Sequence, residues 1–154
     1  RLDVKKGTMR FSQLSPITLP TMKTIAITPF RNMPLPMSLV SKMYTLTNDQ
    51  EALKIMLNDR TSAGNSMSLN FLNSYMNYQP KYNISAFTQC PILLTQPAED
   101  HWTPLAYSQS VLNQLTVPHQ VVMLPKGGHY PVEAEALEQL QSSSIQFIQQ
   151  NLAR

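Results

Sequence analysis

Two short apolar runs constrain this chain more than anything else in it. Pro91-Ile92-Leu93-Leu94-Thr95 is continuous and apolar, the pattern of a strand buried on both faces. Gln120-Val121-Val122-Met123-Leu124 repeats that pattern. Between them, Thr103 to Thr116 carries Leu105, Val111, Leu112 and Leu115 at the spacing of an amphipathic helix. After them, Val132 to Leu152 places Leu137, Leu140, Ile148 and Leu152 on one face of a long helix. Strand, helix, strand, helix is the order of a parallel βαβ unit with a covering helix. The expected fold class is therefore α/β.

Each strand runs into a loop with unusual chemistry. The first loop is Pro97-Ala98-Glu99-Asp100-His101-Trp102-Thr103-Pro104, and the second is Gly127-Gly128-His129-Tyr130-Pro131-Val132-Glu133. Parallel strands bring both loops to the C-terminal edge of the sheet, where α/β proteins build their sites. A histidine can take the proton of a hydroxyl nucleophile and return it to a leaving group. A carboxylate on its other ring nitrogen fixes the tautomer and stabilises the imidazolium. Asp100 and His129 are therefore the candidate acid and base of one relay, with Gly127 and Gly128 giving the sharp turn before His129. Bland roles compete: Asp100 as a helix cap near Thr103, His129 as a surface loop residue. Glu99 is the rival acid and reads as a solvated neighbour. Glu133 reads as a structural residue that bonds the loop or caps the last helix. No Gly-x-Ser-x-Gly turn occurs, so the chain holds no recognisable nucleophile. Ser62-Ala63-Gly64-Asn65-Ser66 is a helix break rather than such a turn.

The rest of the chain divides into two zones. Residues 1–35 form an irregular basic lead-in, with a short strand candidate at Thr24–Thr28 ended by Pro29. Residues 36–80 read as three helices, Pro36–Tyr44, Gln50–Asn58 and Ser66–Asn77, before Pro80 opens the α/β zone of residues 81–154. At 42% apolar and 14% charged residues, the composition is that of a globular chain. Residues 1–31 hold a net charge of +5 and the remainder −2, but the basic residues are scattered and lack interleaved aromatics. No nucleic-acid partner is expected. Cys90 is expected to be a buried, inert thiol. Cys90, His101, His119 and His129 lack zinc-ligand spacing, so neither a metal nor another cofactor is expected. No apolar stretch approaches the roughly 20 residues of a membrane span. The opening Arg-Leu-Asp-Val-Lys-Lys is no signal peptide, and a cytoplasmic location is expected.

The run Cys-Pro-Ile-Leu-Leu from Cys90, then Ala-Glu-Asp-His-Trp-Thr-Pro, then Gly-Gly-His-Tyr-Pro-Val-Glu resembles the C-terminal end of α/β-hydrolase fold proteins. The likeness is to esterases and lipases of the monoacylglycerol-lipase and lysophospholipase kind. Val40-Ser41-Lys42-Met43 and Phe71-Leu72-Asn73-Ser74-Tyr75 look like the helical cap of that family, so the resemblance runs from about residue 33. It implies that Asp100 is the triad acid and His129 the triad base of a serine-type carboxylic ester hydrolase. It also implies a small ester or lipid-like substrate. Trp102 is then a candidate wall of the substrate pocket. Met43 and Met67, with Met33, Met37, Met56 and Met76, are candidates to line an acyl pocket, against ordinary helix packing. Such enzymes carry the nucleophile elbow and oxyanion hole N-terminal to the cap. Their absence, with a start at Arg1, leads to the expectation of a C-terminal fragment that is inactive alone and is completed by its missing N-terminal half. An aspartate nucleophile, as in dehalogenases and epoxide hydrolases, would use a similar histidine. A reading from another class is a non-catalytic interaction module, with a homodimer formed through the exposed sheet edge.

Overall fold

In the computed structural model, Thr24 and residues 28–152 are described. The strand expected at Thr24–Thr28 falls on residues 25–27 and lies outside them. The described chain mixes helices with two small two-stranded sheets, an α/β organisation in the coarse sense. It divides into two compact units: residues up to Tyr44 together with Gln50–Gln79, and Thr45–Asp49 together with Pro80 onward.

In the first unit, strand β1 (Pro34–Pro36) pairs antiparallel with β2 (Ser66–Ser68), Leu35 opposite Met67. Two prolines in three residues hide β1 in the sequence, since proline gives nothing to a ladder and fits only an edge. The first expected helix is much shorter than its pattern: α1 spans Met37–Val40, because Ser41 turns extended at φ −125° and ψ 164°. A 3-10 turn follows at Met43–Thr45. Helix α2 spans Gln50–Asn58, as its apolar spacing predicts. It ends in a tight turn whose Ser62 and Gly64 N–H groups both donate to the Asp59 carbonyl. A Cβ on Gly64 would sit 2.5 Å from the Leu57 carbonyl oxygen, so only glycine fits there. The third expected helix loses its first turn to β2. Helix α3 spans Leu69–Asn77, and the Ser68 hydroxyl caps it by accepting from the Phe71 N–H at 3.1 Å. Met43, Leu53, Leu69 and Leu72 are buried.

The second unit has the order read from the sequence. Strand β3 (Ile92–Pro97) pairs in parallel with β4 (His119–Leu124), from Ile92 opposite His119 to Pro97 opposite Leu124. Helix α4 (Leu105–Leu112) connects them, and α5 (Ala134–Leu152) packs against both strands. Helix α4 starts after Pro104, which sits at its N-cap in an extended conformation. It is shorter than its apolar pattern at both ends.

Three expectations about burial fail. The strands are not buried on both faces: along β4, Leu124 is buried while Val121 and Met123 are exposed, Met123 at 44%. Of the face expected to be the core side of α5, only Leu140 is partly covered. Leu137, Ile148 and Leu152 are exposed, Leu152 at 80%, whereas Ala136 (0%) and Ser143 are buried. Small residues let the helix approach the sheet closely, and the Ser143 hydroxyl is satisfied by the Gln139 carbonyl one turn back at 2.6 Å. Cys90 is also exposed rather than buried, since it lies in the bend before β3 and outside the ladder.

These assignments predict opposite outcomes for two leucines. Leu124→Ala removes a fully buried side chain and costs about 2–4 kcal/mol. Leu137→Ala, at the better helical spacing, changes stability by less than about 0.5 kcal/mol. Urea unfolding of the two variants measures both.

Candidate active site

The loops after β3 and β4 are stitched together by the backbone before any side chain is considered. The Ala98 N–H donates to the Leu124 carbonyl at 2.8 Å, and the Glu99 N–H donates to the Gly127 carbonyl at 3.0 Å. The segment Thr45–Asp49 of the same unit closes the other side. The Tyr130 N–H donates to the Leu46 carbonyl at 2.7 Å, and the Asn48 side-chain amide donates to the Glu99 carbonyl at 3.3 Å.

The glycines before His129 act differently from the sequence expectation. Neither has a positive φ. The left-handed residue of this loop is Lys126, with φ 57°, behind Pro125. Proline then a positive φ, closed by the Gly127 N–H on the Leu124 carbonyl at 3.3 Å, is the pattern of a type II turn. The glycines serve close approach. A Cβ on Gly127 would meet the Ala136 and Pro97 side chains at 3.2 and 3.3 Å, and one on Gly128 would meet the Asn48 nitrogen at 2.9 Å. Glu133 is structural: its Oε2 accepts from the Val132 N–H at 2.9 Å and the Gly128 N–H at 3.4 Å.

Asp100 and His129 meet. Asp100 Oδ2 lies 3.0 Å from His129 Nδ1, with the carboxylate side chain 3% exposed and the imidazole 23% exposed. Asp100 is at the same time a turn former. Its Oδ1 accepts from the Trp102 N–H at 2.9 Å and the Thr103 N–H at 2.7 Å. Turn former and histidine partner are roles carried by two different oxygens of one group. The Thr103 hydroxyl lies 2.9 Å from Asp100 Oδ2 and 2.9 Å from His129 Nδ1.

Burial pushes the Asp100 carboxyl up. Hydrogen bonds from the Thr103 N–H, His129, the Thr103 hydroxyl and the Trp102 N–H outweigh it and hold the carboxyl below the usual range. Asp100 is thus ionised at neutral pH and can only accept. A bare Nδ1 lone pair 3.0 Å from Oδ2 would be repelled, so the proton of neutral His129 belongs on Nδ1. Nε2 is then the basic atom, and it makes no hydrogen bond among the described residues. Trp102 and Tyr130 pack edge-on against the imidazole, with ring centroids 4.6 and 5.2 Å away, and limit its rotation.

The other candidates stand apart from this cluster. Glu99 is exposed, His101 is exposed, and His119 begins β4 with Nδ1 3.2 Å from the Val117 carbonyl. Met43 is a buried side chain of the first unit, and Met67 lies in β2 of that unit, opposite Leu35. Sequence reasoning missed two parts of the site. Thr103 was readable in principle, since a threonine three residues after an aspartate can face it across a turn. Leu46 and Asn48 carried no local signal, because their partners lie more than 50 residues away. Among the described residues no three His, Cys, Asp or Glu side chains cluster as metal ligands. No described helix is long and apolar enough to cross a membrane.

Compared with known proteins, the chain matches no family model, no curated protein and no solved structure.

Two predictions follow from the geometry. A carboxylate held low in the folded state adds stability above its unfolded value near 3.8, and that stability is lost as pH falls through the lower folded value. Asp100→Asn should therefore cost about 1–3 kcal/mol at neutral pH, with the gap to the parent closing below about pH 4. Thermal unfolding across pH measures this. Gly128→Ala forces a Cβ onto the Asn48 backbone nitrogen at 2.9 Å and should cost about 1–3 kcal/mol, whereas Gly127→Ala, whose nearest contact is 3.2 Å, should cost less.

Proposed function

We propose that Asp100 and His129 are the acid and base of an acyl-ester hydrolase whose nucleophile lies outside these residues. The observation that carries the reading is the Asp100 Oδ2–His129 Nδ1 contact of 3.0 Å, which leaves Nε2 unbonded among the described residues. In this reading Nε2 takes the proton of a nucleophilic hydroxyl as its oxygen bonds to the ester carbonyl carbon. The resulting imidazolium is stabilised by Asp100. It then hands the proton to the leaving alcohol as the carbon–oxygen bond breaks, and water repeats the cycle to release the acid. The turn sequences Ala-Glu-Asp-His-Trp-Thr-Pro and Gly-Gly-His-Tyr-Pro-Val-Glu support assignment to the α/β-hydrolase family, of the monoacylglycerol-lipase or lysophospholipase kind. A serine nucleophile fits that likeness better than an aspartate. Trp102, edge-on to the imidazole, is suited to wall a small ester or lipid-like substrate.

The exposed Val121 and Met123 on β4, and Leu137, Ile148 and Leu152 on α5, favour a further element of the same reading. Polypeptide carrying the remaining strands and the nucleophile turn would cover such surfaces. A purely interacting module would expose them too; the unbonded Nε2 beside the Asp100–His129 contact favours the hydrolase reading over it.

The test compares two polypeptides. The 154-residue chain alone should neither hydrolyse p-nitrophenyl esters nor be labelled by a serine-reactive phosphonate. A polypeptide extended by the upstream coding sequence should do both, and His129→Ala should lower its kcat by at least about 10³-fold. Labelling of the short chain at any one serine would sink the proposal, as would an extended polypeptide whose turnover survives loss of His129.

A further inference from the structure

The Thr103 hydroxyl has no place in a two-residue account of acid and base, yet it touches both. It stands 2.9 Å from Asp100 Oδ2 and 2.9 Å from His129 Nδ1, and those two atoms are themselves 3.0 Å apart. Three polar atoms form a nearly equilateral triangle. They contain at most two mobile protons when Asp100 is ionised and His129 is neutral: the hydroxyl proton and one ring proton.

Only one arrangement of these protons satisfies all three atoms. If the hydroxyl donates to Oδ2, it keeps lone pairs facing Nδ1. A proton on Nδ1 then points between two acceptors, Oδ2 and Oγ1. If the hydroxyl donates to Nδ1 instead, the ring proton must move to Nε2. Oδ2 then faces a lone pair at 3.0 Å and loses both donors. The Trp102 and Thr103 N–H groups cannot compensate, because they are committed to Oδ1. The backbone pins the hydroxyl in place: the Thr103 N–H holds Oδ1 at 2.7 Å, and the Thr103 carbonyl accepts from the buried Gln96 amide at 3.2 Å. The hydroxyl is therefore presented by a fixed turn.

We propose that Thr103 is a positioning residue of the site: its hydroxyl donates to Asp100, accepts from His129 Nδ1–H, and so holds the imidazole in the tautomer that leaves Nε2 basic. The proposal rests on the reading of Asp100 and His129 as acid and base for its purpose, but not for its test. Thr103 touches no substrate and acts through the other two residues. Its hydroxyl serves both before and after proton uptake, because protonation occurs at Nε2 and leaves the Nδ1–H and its two acceptors unchanged. An imidazole with one acceptor can swing about that single bond, whereas one shared between two acceptors has its plane fixed.

Nitrogen-15 NMR of the 154-residue chain at about pH 8.5, where an ordinary histidine is neutral, reads the tautomer directly. His129→Gln assigns its signals against those of His101 and His119. The parent should show a protonated Nδ1 and an unprotonated Nε2. Thr103→Val, which keeps the shape and removes the hydroxyl, should shift the tautomer ratio toward Nε2–H by about tenfold, the worth of roughly one hydrogen bond. Thr103→Ser should restore the parent ratio, which a merely structural role for the threonine methyl would not predict. A parent chain already dominated by Nε2–H overturns the proposal without any variant, so a Thr103→Val protein that fails to fold leaves it testable. An unchanged ratio in folded Thr103→Val also overturns it. None of these readings needs ester turnover. Loss of the hydrolase reading would appear as an extended polypeptide without His129-dependent activity, and loss of this proposal as the wrong tautomer.

Discussion

The buried Asp100 carboxylate is the constraint around which the second unit is arranged. A charge with a side chain 3% exposed is tolerable only when its lone pairs are met by donors. Here four donors meet it, from the Trp102 and Thr103 backbone, the Thr103 hydroxyl and His129. Each donor fixes a piece of structure. The two backbone donors fold the turn after β3, which delivers Pro104 to the start of α4. The hydroxyl and the imidazole then tie that turn to the loop after β4. The charge thus does for two loops what apolar burial does for the strands beneath them, and it does so directionally.

This explains which features were legible in the sequence. Strand, helix, strand, helix emerged correctly because apolar runs and turn residues are local signals, and the placement of Asp100 and His129 after those strands followed from topology alone. The burial of α5 did not emerge. Leu137, Ile148 and Leu152 have ideal helical spacing, but the face that fits against a sheet is chosen by closeness of approach, and Ala136 and Ser143 win it. Gly127 and Gly128 were legible as special and misread in kind, since the positive φ belongs to Lys126 while the glycines admit neighbouring atoms. Leu46 and Asn48 were not legible at all, because a backbone carbonyl that accepts across the chain leaves no trace in residue type.

The apolar surfaces bear on stability. A two-stranded sheet gains little from its own ladder and depends on packing. Here α5 covers one face, while Val121 and Met123 on the other, and the leucine and isoleucine stripe on α5, remain in solvent. In the reading of the chain as part of a hydrolase these are surfaces of a larger sheet and its layers. The Asp100–His129 contact does not depend on that cover, because the hydrogen bonds that fix it come from the second unit itself.

The loop that carries His129 holds two costly features. Lys126 is held left-handed without being glycine, a cost of about 1 kcal/mol. Glu133 has one oxygen, Oε1, buried with no partner among the described residues. Beside them, Lys126 forms an exposed ion pair with Glu135, and Glu133 Oε2 takes the Val132 and Gly128 N–H groups. Gly127 against Ala136, Gly128 against Asn48 and the Tyr130 N–H on the Leu46 carbonyl then remove the remaining freedom. Each of these contacts fixes backbone position immediately beside His129, and the triangle with Asp100 and Thr103 fixes the ring. Relaxation of the backbone beside His129 would carry the imidazole away from Asp100 and Thr103.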